Sequence, residues 1–170
     1  HSFHIGHARN AVLGESLARL AEFAGFPTIR ASYPGDLGLG VITVVWAYQK
    51  FYRGQQPEGI HERAQCLLKL YAEATALLTP RENEAPEETA LREAYEAERR
   101  DLYRRLDAGD PEVRELWRTT RQWSLDEFED ILRILDIRMD VFFFESEVED
   151  EAKVIVQELT ISESTELMDH

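Results

Sequence analysis

Apolar residues return at helical spacing from the start of the chain. Val12, Leu13, Leu17, Leu20, Ala21 and Ala24 fall three or four apart, and Gly25 and Pro27 then close the run, which predicts a helix over about 7–24. The pattern switches in "PTIRASY", where Ile29 and Ala31 alternate with Arg30 and Ser32 and predict a strand over 28–32. Tyr33-Pro34-Gly35-Asp36 reads as a turn. The run "LGLGVITVVWAYQKFYRG" is rich in β-branched residues, but its length and the spacing of Trp46, Lys50 and Arg53 favour a helix. From about Gln55 to Gln122 the chain enters a block of long helical patterns, "HERAQCLLKLYAEATALL", "PEETALREAYEAERRDLYRRLDAG" and "PEVRELWRTTRQWSLDEFEDILRIL". The polar "TPRENEAPEE" between the first two is expected to be an exposed, mobile loop, and Asp110-Pro111 supplies an N-cap and a first-turn proline. "RMDVFFFESE" then predicts a buried strand over 139–144 that runs into Glu145 and Glu147. A helix over about 150–159 is expected next, and "TISESTELMDH" has no convincing period.

Strands separated by helices favour a parallel sheet, so the fold class is α/β, mostly α by content, with an all-helical insertion. Three segments follow: 1–54 as a first part, 55–136 as the insertion and 137–170 as the return to the sheet.

Composition narrows the setting. A chain of 170 residues with 44% hydrophobic content and three tryptophans has room for one folded domain, or a domain and an appendage. No apolar run approaches the roughly 18 residues that a membrane helix needs, and nothing resembles a signal peptide. The single Cys66 cannot form an internal disulfide. Its place in a helical pattern suits a buried structural thiol and a reducing, cytoplasmic setting. The net charge of −14 argues against this chain being the main surface that grips a nucleic acid, since that work falls to Lys and Arg. A basic surface elsewhere in a larger RNA-binding enzyme remains compatible with it.

The candidate chemistry lies at the mouth of the first helix, in "FHIGHARN". A helix N-terminus carries unpaired N–H donors and the positive end of the macrodipole, and so attracts phosphate. Gly6 leaves the backbone open for a flat ligand ring. His4 and His7, three apart, can face one side and donate to phosphate oxygens as charge builds during displacement at phosphorus. That suits attack of a carboxylate on the α-phosphate of ATP. An incidental, exposed histidine pair is the competing reading of these few residues.

A longer match bears on that choice. "FHIGHARNAVLGESLARLAEFAGFPTIRASYPGDLGLGV" resembles the HIGH-motif region of class I aminoacyl-tRNA synthetases, specifically the arginyl-tRNA synthetase family. The carrying elements are His4-Ile5-Gly6-His7, Arg9-Asn10, Gly14-Glu15, Phe23-Ala24-Gly25, Arg30-Ala31-Ser32 and Gly35-Asp36-Leu37-Gly38. At the far end "ILDIRMDVFFFESEV" is similar to another segment of that family. The resemblance implies a partial Rossmann-like catalytic domain of HIGH type. Its implied activity is activation of L-arginine by ATP, with Mg2+, to arginyl-adenylate, followed by transfer to tRNA(Arg). It implies no prosthetic group and no metal site.

By the same resemblance His4 and His7 are catalytic residues on the ATP phosphates, and Gly6 makes room for adenine. Glu145 pairs with the substrate guanidinium; a solvated acid in the run "ESEVEDE" is the plain alternative. Asp36 holds the α-ammonium or caps the following helix. Tyr33 and Asn10 are further substrate-binding candidates, Asn10 equally a residue of local helix structure. The family's first strand, its clamp loop and its tRNA-binding domains have no counterpart in these residues. The chain therefore reads as a piece of a catalytic domain whose open sheet edge could pair with a second copy in a dimer. Two other functions stay in view. One is a catalytically dead, acidic interaction module with Trp46, Trp117 and Trp123 on a partner surface. The other is a small HIGH-type nucleotidyltransferase.

Overall fold

The computed structural model describes residues 3–52 and 56–166. The elements run α1 (Ile5–Phe23), β1 (Ala31–Ser32), α2 (Leu39–Phe51), α3 (Ile60–Leu78), α4 (Pro86–Asp107), α5 (Pro111–Ile134), β2 (Val141–Phe142) and α6 (Glu145–Glu166). The chain is mostly helical. Among the described residues β1 and β2 form one two-stranded parallel sheet, with Ala31 opposite Val141 and Ser32 opposite Phe142. Parallel strands require a crossover, and here α2–α5 supply it.

Both strands are shorter than their sequence patterns, 28–32 and 139–144. The Arg30 carbonyl accepts the amides of Asp140 and Val141 at 2.9 and 3.1 Å, while the Arg30 amide goes to the Asp140 side chain at 2.9 Å. The ladder stops there because a side chain has taken the next donor. At the other end the Phe143 amide still reaches the Ser32 carbonyl at 2.8 Å, but the Phe144 amide turns toward Glu147 of its own chain. Nor is β2 deeply buried: Val141 and Phe142 are half-buried, and Phe143 is exposed. Helix α6 begins at Glu145, not near 150, and continues to Glu166 through the tail that lacked a period. The Asp36 carboxylate receives its first-turn amide at Ser146, from 110 residues away, so no local signal could mark that start.

The core is built by α2, α3, α4 and α5. Ile42, Val45, Trp46 and Ala47 of α2 meet Leu70, Ala74 and Leu78 of α3, Leu102 of α4 and Val113 of α5. Helix α2 keeps its β-branched run because neighbours surround it. The Thr43 hydroxyl donates to the Leu39 carbonyl at 2.7 Å and accepts from Arg99, and Trp46 Nε1 donates to Glu98 at 3.1 Å. Trp46 and Trp123 are each 2% exposed and Trp117 is half-buried, which corrects the reading of these rings as a partner surface. Cys66 is half-buried against the core rather than enclosed, and burial pushes its thiol pKa up. The polar segment before α4 is tied down: Glu84 accepts from Arg92 at 3.1 Å and from the Thr89 hydroxyl at 3.1 Å. Asp110 caps α5 as its sequence predicts, accepting from the amides of Glu112 and Val113. No helix of the described residues is long and apolar enough to cross a membrane.

Helix α1 stands apart from this core. It ends as Gly25 and Pro27 predict: Gly25 at φ 86° donates to the Glu22 carbonyl, and the Phe26 amide to Ala21, a Schellman closure. Yet Val12, Leu13, Leu17, Leu20 and Phe23 are all exposed, Phe23 at 93%, and Ala18 is its buried residue. Its apolar stripe therefore contributes little burial within the described residues. Charge attaches it instead.

Candidate functional site

Histidine replaces the usual hydroxyl or carboxylate at the N-cap of α1. His4 Nδ1 accepts the Gly6 amide at 3.1 Å, and His7 Nδ1 accepts the His4 amide at 3.2 Å, a reciprocal cap made of two imidazoles. Each ring accepts through Nδ1, so each neutral ring carries its proton on Nε2. The rings stack with centroids 3.8 Å apart and planes 21° from parallel, and His7 also packs against Phe3 and Phe128. Burial, then the neighbouring His4, holds the His7 pKa below its ordinary value. The backbone amides are less available than a bare helix end suggests, because those of Gly6, His7 and Ala8 are bonded to His4. The Nε2–H groups of the two rings are further donors at this helix start. Gly6 has a structural reason as well as room for a ligand: a Cβ there would stand 2.9 Å from His4 Cε1 and disturb the cap.

The segment that carries this pair is anchored through its acids. Arg30, 8% exposed, spans Glu15 and Glu22 of α1: Nε meets Glu15 at 2.7 Å, Nη1 meets Glu22 at 2.7 Å, and Nη2 reaches both. Arg19 pairs with Glu15 and reaches the Asp136 carbonyl and carboxylate, while Arg138 joins Glu22 to Asp140. The hydrogen bonds from Arg30 and Arg19 draw the Glu15 pKa down to about 2. Thus the Gly14-Glu15 and Arg30-Ala31-Ser32 elements orient α1 over β1.

Asp36 does not cap the helix that follows it. Helix α2 starts from Gly38, at φ 93°, with no side-chain cap. The Asp36 carboxylate instead accepts the Ser146 amide at 2.9 Å and the Ser146 hydroxyl at 2.7 Å. Its Oδ2 also lies 2.8 Å from Arg121 Nε of α5, an ion pair off the line of a hydrogen bond. The Asp36 carbonyl takes the Trp117 indole N–H at 2.8 Å. Both carboxylate oxygens are thus engaged within the fold. Asp36 does cap a helix, but it is α6. The Arg121 guanidinium lies 3.8 Å from the centre of the Phe144 ring and 5.1 Å from Trp117.

Glu145 is the first residue of α6, half-buried, between Phe144 under that guanidinium and Ser146 bonded to Asp36. Its Oε2 lies 3.5 Å from where a Gly35 Cβ would be, and its carboxylate has no ion-pair partner among the described residues. Both flanking residues are held, so the free carboxylate has a fixed origin.

A cavity of about 880 Å3 opens between α1, β1 and α5. It brings together His7, Asn10, Tyr33 and Asp36, with Gly35 and Arg121 on the same wall. Asn10 and Tyr33 are exposed at its rim. His4 faces a smaller cleft of about 320 Å3 beside Phe3 and Gly40, and Glu145 approaches the main cavity through Gly35. No cluster of three or more metal-ligating side chains occurs among the described residues. Arg121 and Ser146 are the participants that sequence reasoning missed. Ser146 adjoins Glu145 in "ES", whereas Arg121 is one of several arginines on an amphipathic helix and carried no mark.

The whole arrangement has relatives. A family model described as the catalytic domain of class I tRNA synthetases (R) matches residues 1–167. The arginine–tRNA ligase of Bdellovibrio bacteriovorus is 28% identical over 92% of this chain and 26% of its own length. That of Porphyromonas gingivalis is 31% identical over 85% of the chain and 25% of its own length, and that of Clostridioides difficile 31% over 91% and 25%. The chain thus spans about a quarter of the length of these relatives. With the family model extending over nearly all its residues, the chain belongs to the arginine branch of the class I tRNA synthetase catalytic-domain family.

Proposed function

We propose that this chain forms part of the active site of an arginine–tRNA ligase, the part that meets the phosphates of ATP and the side chain of arginine. The observation that carries the proposal is the reciprocal His4–His7 cap, which uses Nδ1 of each ring and so leaves Nε2–H as the donor of each at the start of α1. The arginine carboxylate attacks the α-phosphorus of magnesium-bound ATP, a P–O bond forms, and the bond to pyrophosphate breaks. Negative charge grows on the phosphoryl oxygens in that step, and preorganised neutral donors stabilise it without the reorganisation that water requires. Glu145, a carboxylate with no ion-pair partner among the described residues, receives the guanidinium through a two-pronged charge-assisted pair. Tyr33 and Asn10 line the rim where the amino-acid backbone enters.

The Rossmann-like reading belongs to the same proposal. The parallel β1–β2 pair, with α1 leading in and α6 leading out, supports it, as does the division at 54–55 and 136–137 around a helical insertion. Transfer to tRNA(Arg) and a cytoplasmic setting complete the reading, with the basic tRNA surface outside these residues. The family match disfavours a small coenzyme-type nucleotidyltransferase.

The test uses the full-length protein. Labelled pyrophosphate should exchange into ATP only when arginine is present. His7→Ala should slow that exchange about 100-fold or more, as loss of one charge-stabilising donor does, while arginine affinity changes little. Exchange driven by a different amino acid, or an unchanged rate in the variant, would overturn the reading.

A further inference from the structure

Two guanidinium groups compete for acids in this corner of the molecule, one from the chain and one from the proposed substrate. Arg121 already sits as a bound guanidinium would, stacked on Phe144 at 3.8 Å and paired with Asp36 at 2.8 Å. Phe144 is the chain neighbour of Glu145, whose carboxylate approaches Gly35 and has no ion-pair partner among the described residues. Asp36 is 6% exposed and each of its oxygens is held by Ser146, which fixes the acid that Arg121 faces. The local charge count is then one cation against two acids, Arg121 against Asp36 and Glu145, with the cation assigned to Asp36.

We infer that Asp36 sequesters the Arg121 guanidinium and so keeps Glu145 open for the guanidinium of the substrate, an inference that rests on the arginine-activation reading above. Arginine selectivity then depends on an acid that never touches the substrate. Neutralising Asp36 leaves Arg121 without its partner, tethered over Phe144, the residue next to Glu145. Arg121 then occupies the Glu145 carboxylate as an intramolecular competitor, at the high effective concentration that tethering gives. Asp36 is a positioning residue in this scheme, acting through Arg121.

Steady-state exchange kinetics of the full-length enzyme test this. Asp36→Asn preserves shape and can still bond Ser146. It should raise the KM for arginine about tenfold or more, as one competing charge pair in a partly buried site does. The KM for ATP should stay within about twofold, a split that general loosening of the fold would not produce. The decisive variant is Asp36→Asn with Arg121→Leu, which removes the competitor as well and should bring the arginine KM back to within about threefold of wild type. An Asp36→Asn enzyme with both KM values raised alike, or a double variant no better than the single one, overturns the inference. Should the single variant fail to accumulate as folded protein, the double variant decides alone. It lacks both charges, and a tenfold rise in its arginine KM would mean that the ion pair builds the site rather than guarding it. Absence of arginine-dependent exchange in the wild-type enzyme would instead strike at the activity reading itself.

Discussion

Which ring nitrogen carries the proton governs the His4–His7 pair. His7 Nδ1 accepts the His4 amide, and protonation would place a hydrogen where that bond must form. Burial and the adjacent imidazole work in the same direction and lower the His7 pKa from 6.5. The unfolded chain therefore binds more protons than the folded one as pH falls below 6.5. This contribution to stability is complete above that value and is lost as pH drops through the folded pKa. An NMR titration following the His7 Hε1 signal should give a midpoint below 6.5, with loosening of the first turn of α1 on the acid side; a midpoint at or above 6.5 would refute the cap-locked tautomer. The histidines were legible because both partners of the cap lie within four residues. The internal partners of Asp36, Trp117 and Ser146, were not legible because they come from 81 and 110 residues further on, and a turn aspartate carries no mark of what will fold over it.

Periodicity located each helix among the described residues, although the second half of α6 carries no repeat that marks it. It placed both strands, which pair in parallel as expected, but overran their ends, where pairing stops at Arg30 for a reason of side-chain chemistry, and it missed the start of α6, whose cap is supplied by another segment. It also could not reveal how α1 is attached, because an apolar stripe states what a helix would bury and not what lies opposite. The attachment centres on Arg30, with Arg19 and Arg138 adding ion pairs at its edges. Replacing Arg30 by alanine leaves Glu15 and Glu22 facing each other without their shared cation. Replacing it by lysine restores charge but not a planar fork that can bridge two carboxylates. Hydrogen exchange should show α1 losing protection in Arg30→Ala, partial recovery in Arg30→Lys, and α2–α5 unchanged in both. Equal loss in all helices would contradict a local tether. The same contact gives α1 an acid sensitivity. With Glu15 held at about 2 against an ordinary 4.5, its contribution is present above 4.5 and disappears as pH falls toward 2.

For the molecule as a whole, stability resides in the block formed by α2–α5 and chemistry resides at its edge. Trp46 is central to that block, in edge contact with Phe51, tilted against Tyr95 and bonded to Glu98. Trp46→Ala should cost about 3–5 kcal/mol, the usual penalty for emptying a large buried aromatic site. In a chain of this size that corresponds to a fall in Tm of about 10 °C or more, and a shift of only a degree or two would show that the core lies elsewhere. The sheet raises a different matter, that of timing. Ala31 must find Val141 across 110 residues, and closing so long a stretch of flexible chain is slow and entropically unfavourable. Neighbouring helices that fold back on one another make contacts at short range and form early. Once α2–α5 have condensed, their two ends are neighbours and the remaining search is short. The parts of the site assemble in that last step, Asp36 from one end of the block and Glu145 from the other. A growing chain therefore acquires its scaffold first, and the residues of the candidate site come together only after those beyond β2 have emerged.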